Sequence, residues 1–183
     1  MAFEVVTPGK EGGLAQAAPE DAALSCARAK LDGAAIDGRH GLLVAVDTIV
    51  AKGGRSFGKP RDASEARSML LALSGTPHEV LTAHAFAVVD AGLRSSDVWT
   101  TISRASVLLR APIGDALEAY LAGRDWADKA GGYGIQSEAK TFVSLVAGRF
   151  DCVVGLDVAA VREALEVARS CPQRKSRLRC EGS

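Results

Sequence analysis

Hydrophobic and polar positions define a strand and a hairpin in the first third of the chain. The continuous apolar run 42–46 predicts a strand that is buried on both faces. Asp47-Thr48 ends this run, and apolar residues resume over 49–51. Gly53-Gly54 then predicts a tight turn, followed by a short return and a loop over 55–60.

The remaining pattern alternates between strand and helix signals. Pro19 followed by two acidic residues opens a helix that carries Lys30 near its end, and Asp62 to Glu65 has the spacing of a capping box. The other predicted elements are a short strand at 3–6, a helix from 62 that stops at Ser74-Gly75, strands at 78–89 and 98–109, a helix at 114–122, a strand pair between 141 and 154, and a last helix at 158–170.

Composition narrows the class of protein. The 183 residues fit a single domain over 1–170 followed by a basic polar tail at 171–183, which we expect to be a solvated terminus. The formal net charge of zero gives no whole-chain attraction to nucleic acid or to a membrane surface. Without a signal-peptide pattern or an apolar run near the roughly 18 residues of a membrane span, we expect a cytoplasmic protein.

Two charged residues are candidates for chemistry. Asp47 follows a buried apolar run, where a carboxylate is costly to desolvate unless it faces a cleft, a cation or a metal. A turn-forming Asp at a strand break is the alternative. Lys59 lies between Gly58 and Pro60 in a restricted loop near Asp47, although a lone loop lysine is usually only solvated.

The segment 128–136, Asp-Lys-Ala-Gly-Gly-Tyr-Gly-Ile-Gln, is the most unusual in the chain. Its glycines would let the backbone approach a phosphate or a base closely, and Gln136 offers both a donor and an acceptor. It matches neither phosphate-loop fingerprint, so a flexible loop is the alternative. His78 and His84 would share one strand face, where ordinary strand histidines are favoured over metal ligands. Cys26 and Cys152 are expected to be buried free thiols.

Taken in order, these segments resemble the Maf family, nucleoside triphosphate pyrophosphatases related in fold to the inosine triphosphate pyrophosphatases. The resemblance covers about residues 3 to 168. The matching pieces are Phe-Glu-Val-Val at 3–6, Ala-Arg-Ala-Lys at 27–30, Val-Asp-Thr-Ile-Val at 46–50, Gly-Lys-Pro at 58–60, Glu-Ala at 65–66, Met-Leu at 69–70, Leu-Ser-Gly at 73–75, His-Glu-Val at 78–80, Thr82, the segment 128–136 and Val-Val-Gly-Leu at 153–156.

The resemblance implies an α/β fold with a mixed, elongated central sheet flanked by helices and two lobes with a cleft between them. It implies hydrolysis of nucleoside triphosphates to monophosphate and pyrophosphate with Mg²⁺ or Mn²⁺, and members of the family are often homodimers. Asp47 would be the catalytic base and a metal ligand, and Lys30 and Lys59 would hold the triphosphate. Thr48 and Gln136 match the branch that acts on dTTP and UTP.

The chain also departs from the family pattern. The family normally begins with a strand and a Ser-x-Ser-Pro-Arg-Arg loop, and no Ser-Pro-Arg occurs here. The acidic pair after the first matching piece is reduced to Glu11-Gly12, so Glu11 alone is assigned to substrate binding, and Asp157 replaces a usual proline. Two alternatives follow: a start upstream of Met1, or a non-catalytic relative that regulates cell division.

Overall fold

The computed structural model describes residues 3–9, 17–112 and 114–170, which form ten regular elements and two short 3₁₀ turns. Glu11 and the tail 171–183 lie outside these ranges. The elements are α1 (Pro19–Asp32), β1 (Gly41–Lys52), β2 (Arg55–Phe57), α2 (Ala63–Leu73), β3 (His78–Asp90), β4 (Leu93–Leu109), α3 (Asp115–Gly123), 3₁₀ turns at Ala130–Gly132 and Glu138–Thr141, β5 (Val143–Ala147), α4 (Phe150–Val154) and α5 (Val158–Ser170).

One five-stranded sheet, in the order β2-β1-β3-β4-β5, organises the fold. All its ladders are antiparallel, and an isolated bridge between Ser74 and Leu109 adds one parallel pairing. Strand β1 pairs with β3 from Gly41 to Ala51, but its pairing with β2 begins only at Val50. In the described ranges, the outer edge of β1 over 41–49 therefore faces no other strand.

The two faces of the sheet are covered differently. Helix α1 packs on one face through Ala23 and Ala27 against alanines of β3, and these small side chains let helix and sheet approach closely. On the other face, Leu70 and Leu73 of α2 pack with α3 and with Tyr133 of the glycine-rich segment. A cleft opens between these two sides along the outer edge of β1. The α/β fold class with helices flanking a central sheet is confirmed.

Local signals fixed several helix ends correctly. The Asp62 carboxylate accepts a hydrogen bond from the Glu65 backbone N–H at 2.8 Å, as a capping box predicts, and α2 ends at Ser74 with Gly75 at a φ of +85°. Helix α5 has its predicted bounds. Cys152 is a buried free thiol as predicted, whereas Cys26 is only half-buried.

Three predictions about strands are wrong. Residues 3–6 form no strand: Phe3 and Val5 are 87% and 84% exposed, and the segment is tied to α1 by a hydrogen bond from the Gly9 N–H to the Lys30 carbonyl. The segment 141–154 holds one strand, β5, and then α4, because Gly148 at φ +87° turns the chain before it can form a second strand.

The third wrong prediction concerns β1. Most of β1 is half-buried rather than buried on both faces, and the strand runs straight through Asp47 instead of ending there. Among the described residues no helix is long and apolar enough to cross a bilayer.

Candidate functional site

A cavity of about 400 Å³ lies against the outer edge of β1. Its wall combines parts of the chain that are far apart in sequence: α1, the middle of β1, the loop after β2, the glycine-rich segment and α4. The lining includes Lys30, Asp47, Thr48, Lys59 and Gln136, together with Asp128, Lys129, Tyr133, Val153 and Val154. Every predicted site residue in the described ranges therefore reaches this one cavity.

The position of β1 at the edge of the cavity explains how neighbouring residues can both line it. Successive side chains of a strand point to opposite faces of the sheet. Asp47 is on the face that α1 covers, since it pairs with Ala83, while Thr48 pairs with Thr82 and is on the opposite face. Because the cavity lies along the strand edge, it is in contact with both faces. Asp47 and Thr48 thus line the cavity from opposite faces of the sheet.

Lys30 and Asp47 form an ion pair at the α1 side of the cavity. The Lys30 Nζ donates to the Asp47 Oδ1 at 2.6 Å and to the Val46 carbonyl oxygen at 3.4 Å. Both side chains are mostly buried, with exposures of 16% for Lys30 and 13% for Asp47. The ammonium group offsets the cost of placing a carboxylate within β1 and holds it as an anion at the cavity wall. A lysine here can also turn one of its three donors toward a bound anion.

Lys59 reaches the cavity from the loop that follows β2. This loop is joined to the glycine-rich segment, because the Gly58 carbonyl oxygen accepts a hydrogen bond from the Gly131 N–H at 2.9 Å. The bond fixes the backbone beside Lys59 relative to the opposite wall. The ammonium group of Lys59 is therefore carried by a loop with a fixed backbone, which reduces the conformational entropy lost when a ligand binds.

The glycine-rich segment is held in one conformation by its neighbours. Gly131 and Gly132 have φ values of +72° and +76°, which favour glycine, and a Cβ at Gly131 would be 3.0 Å from the Leu73 Cδ1. The Tyr120 hydroxyl donates to the Gly132 carbonyl at 2.9 Å. The alternative of a loop without fixed contacts is therefore excluded for this part of the segment.

Tyr133 attaches the same segment to the sheet. Its hydroxyl shares a hydrogen bond of 2.6 Å with the Nε2 of His78, the first residue of β3. Burial, together with the nearby charge of Lys52, lowers the pKa of His78 to about 4, and burial raises the pKa of Tyr133. Both side chains are consequently neutral near pH 7. His78 is thus a structural partner of the cavity wall, which agrees with its prediction as an ordinary strand histidine.

On the opposite face of β1, Thr48 belongs to a chain of hydrogen bonds. The Thr48 and Thr82 hydroxyl oxygens are 3.0 Å apart, and the Thr82 hydroxyl donates to the Cys152 carbonyl oxygen at 2.7 Å. Sequence reasoning used Thr82 only as part of the family resemblance. Its contact with Thr48 depends on the β1–β3 register, which local sequence does not specify.

Among the described residues of the cavity wall, lysines outnumber carboxylates. Lys30, Lys59 and Lys129 are accompanied by Asp47 and Asp128. A hydrogen bond from Lys129 lowers the pKa of Asp128, and the charge of Lys59 contributes in the same direction. The wall therefore favours a polyanion, and it also holds carboxylates that would repel one unless a cation or lysine lies between them.

A divalent cation at this cavity would need ligands from the substrate as well as from the protein. Within the described ranges there is no group of three or more His, Cys, Asp or Glu side chains that could enclose a metal ion. Mg²⁺, however, is usually held by one or two carboxylates together with substrate phosphates and water. Asp47 fits such a shared site. The residues present therefore fit a cation that binds with a polyphosphate, and Asp47 would be its protein ligand.

Comparison with known proteins gives a consistent result. The family model described as Maf-like protein matches residues 1–168. The chain is 34% identical over 149 residues to a dTTP/UTP pyrophosphatase of Pyrococcus furiosus, covering 81% of this chain and 75% of that protein. It is 41% identical over 128 residues to one of a Ruegeria species (69% and 63% covered), and 34% over 163 residues to one of Carboxydothermus hydrogenoformans (89% and 86%).

Proposed function

The chain belongs to the Maf family, and on that premise we propose that it hydrolyses nucleoside triphosphates of the dTTP/UTP type to a monophosphate and pyrophosphate. Three curated relatives carry the name dTTP/UTP pyrophosphatase, which supports this substrate class. The observation that carries the proposal is the meeting of Asp47, Lys30 and Lys59 at one cavity.

In the proposed reaction, Asp47 accepts a proton from a water molecule that attacks the α-phosphorus. A P–O bond forms to the water oxygen, the bond between the α-phosphorus and the bridging oxygen breaks, and pyrophosphate leaves with the bridging oxygen. Lys30 keeps Asp47 ionised and oriented. Lys59 neutralises charge on the triphosphate, because phosphoryl transfer depends mainly on positioning and on charge stabilisation.

A divalent cation held by Asp47 and the phosphates would supply further neutralisation of the phosphate charge. Glu11 remains a proposed second acidic contact with the substrate, and it lies outside the described residues. We assign Thr48 and Gln136 to the base of the nucleotide, since both line the same cavity and carry hydrogen-bonding groups without charge. A homodimer and a cytoplasmic location remain predictions.

The test is a direct assay of products. Purified protein is incubated with Mg²⁺ and a panel of nucleoside triphosphates, and both monophosphate and pyrophosphate are measured. We expect release of pyrophosphate, fastest from dTTP and UTP. Asp47→Asn should lower kcat by roughly 100-fold or more, the range for loss of a general base. The matched control is Asp90→Asn, a neutralised carboxylate that pairs with His40 away from the cavity lining.

The outcomes separate the hypotheses clearly. Release of inorganic phosphate alone would refute pyrophosphatase chemistry. An unchanged rate in Asp47→Asn would remove Asp47 from its role. If no triphosphate in the panel is hydrolysed, the non-catalytic alternative would replace the proposed reaction, and calorimetry with the same nucleotides would then show whether the cavity still binds them.

A further inference from the structure

The hydroxyl hydrogen of Thr82 is used in a bond to a backbone carbonyl. Thr82 is fully buried, and its single hydroxyl hydrogen is donated to the Cys152 carbonyl, which cannot itself donate. That carbonyl also accepts the Gly155 N–H at 3.1 Å, so both of its lone pairs are used at the end of α4. The donor role of Thr82 is therefore fixed by the backbone.

This constraint passes to Thr48. Two hydroxyl oxygens at 3.0 Å need one hydrogen between them, and Thr82 has already used its own. Thr48 must consequently donate to Thr82. Its remaining capacity is to accept, and its half-buried side chain lines the cavity. The group offered to a ligand at this point is an acceptor and cannot act as a donor without breaking the contact with Thr82.

Gln136, the second side chain proposed to contact the base, cannot discriminate in this way. Gln136 carries a carbonyl and an amino group on one amide, and a rotation of the amide exchanges them. It can pair equally well with the 4-oxo group of uracil or thymine and with the 4-amino group of cytosine. Discrimination between these bases must come from a neighbour whose polarity is fixed.

Resting on the function proposed above, we infer that Thr82 is a positioning residue that sets base specificity by making Thr48 an obligatory acceptor. Uracil and thymine carry an N3–H that donates to such an acceptor. Cytosine has an unprotonated N3, whose lone pair would face the Thr48 oxygen and leave both groups unsatisfied. Loss of a hydrogen bond with two polar groups left unpaired costs roughly a factor of 10 to 100 in affinity.

Binding is the primary measurement, because it is independent of turnover. The affinities of the non-hydrolysable α,β-methylene analogues of UTP and CTP are measured by calorimetry for the wild type, Thr82→Val and Thr82→Ser. The wild type should prefer the UTP analogue by at least about tenfold. Thr82→Val removes the acceptor for Thr48, so the Thr48 hydroxyl can rotate and donate, and the preference should fall to about threefold or less. Thr82→Ser keeps the hydroxyl and should keep the preference.

The ratio of the two affinities is informative because a general loosening of the fold would weaken both ligands together. An N3-methylated UTP analogue tests the same hydrogen bond on the unmodified protein, and it should lose the advantage of UTP even if Thr82→Val does not fold. Equal wild-type affinity for the UTP and CTP analogues, or binding of neither, would overturn the inference. So would an unchanged ratio in a folded Thr82→Val.

The proposed reaction and this inference can fail separately. If the protein binds the UTP analogue with a Thr82-dependent preference but releases no pyrophosphate, the inference about Thr82 stands and the proposed reaction is wrong. If it releases pyrophosphate from UTP and CTP at equal kcat/KM, the proposed reaction stands and the inference about Thr82 is wrong.

Discussion

His78 should make the stability of this protein depend on pH well above the range of ordinary carboxylates. The side chain is 3% exposed, it is bonded to Tyr133 and it is near the ammonium of Lys52, and these surroundings lower its pKa from 6.5 to about 4. In the unfolded chain it would take up a proton near pH 6.5. The contribution of His78 to the free energy of unfolding is therefore complete above pH 6.5. It is lost as the pH falls toward 4, because the unfolded state binds more protons in that window.

The size of the effect follows from the two pKa values. The full difference corresponds to about 3 kcal/mol, and the part lost between about pH 7.5 and pH 5 is about 2 kcal/mol. His84, whose pKa burial also lowers, adds a loss of the same sign. The variant His78→Gln removes one titrating group and retains an amide that can bond Tyr133. Its loss between the two pH values should be smaller by about 2 kcal/mol than that of the wild type.

Urea unfolding at both pH values measures this difference, because His84 and the carboxylates titrate in both proteins and cancel. The His78→Gln protein at the higher pH serves as the reference for any packing cost of the substitution. If the two proteins lose the same free energy within about 0.5 kcal/mol, His78 does not titrate as its surroundings indicate. A proton NMR titration that gives His78 a pKa above 6 in the folded protein would lead to the same conclusion.

Three further substitutions test other parts of the site. Gly131→Ala should lower the free energy of unfolding by about 1–3 kcal/mol in urea, and by more than Gly132→Ala, since only the first places a Cβ in a tight contact. Equal costs would contradict this. Asp157→Ala should cost about 1–2 kcal/mol, because its carboxylate caps α5, and an unchanged midpoint would refute that role. Lys59→Met should lower kcat/KM for UTP by at least about tenfold, while Lys140→Met, an exposed lysine outside the cavity, should not.

Local signals were sufficient where the structure depends on neighbours in sequence. The capping contact of Asp62, the turn at Gly53-Gly54 and the bounds of α5 are all determined by residues within a few positions. Residues 3–6 look like a strand because they alternate, but a strand also needs a partner. Here Glu4 pairs with Arg39 after α1, and Thr7 and Gly9 bond to the end of α1 and the segment after it. Partner availability is not a local property.

In the candidate site, too, the sequence indicates local features but not the contacts between residues that are distant in sequence. Asp47 was assigned to a strand end because a carboxylate inside an apolar strand is costly, and the pairing that offsets the cost comes from Lys30, which lies 17 positions earlier. The sequence marks Asp157 only as the residue that replaces a usual proline. In the fold it caps α5 and accepts a hydrogen bond from Ser103 of β4 at 2.7 Å, a contact between residues 54 positions apart in the sequence.

The pairing of β1 with β3 has a consequence for how this protein can change. Asp47 and Thr48 lie on opposite faces of the sheet, so their proposed roles depend on whether each holds an odd or an even position in the strand. Deleting one residue between Gly41 and Val46 would leave both in place, because the hairpin at Gly53-Gly54 holds that end of the strand. Deleting one residue between Ile49 and Lys52 would move each to the other face, placing the carboxylate opposite Thr82 and the hydroxyl opposite Leu81. The length of the stretch 49–52 thus determines on which face of the sheet the carboxylate and the hydroxyl lie.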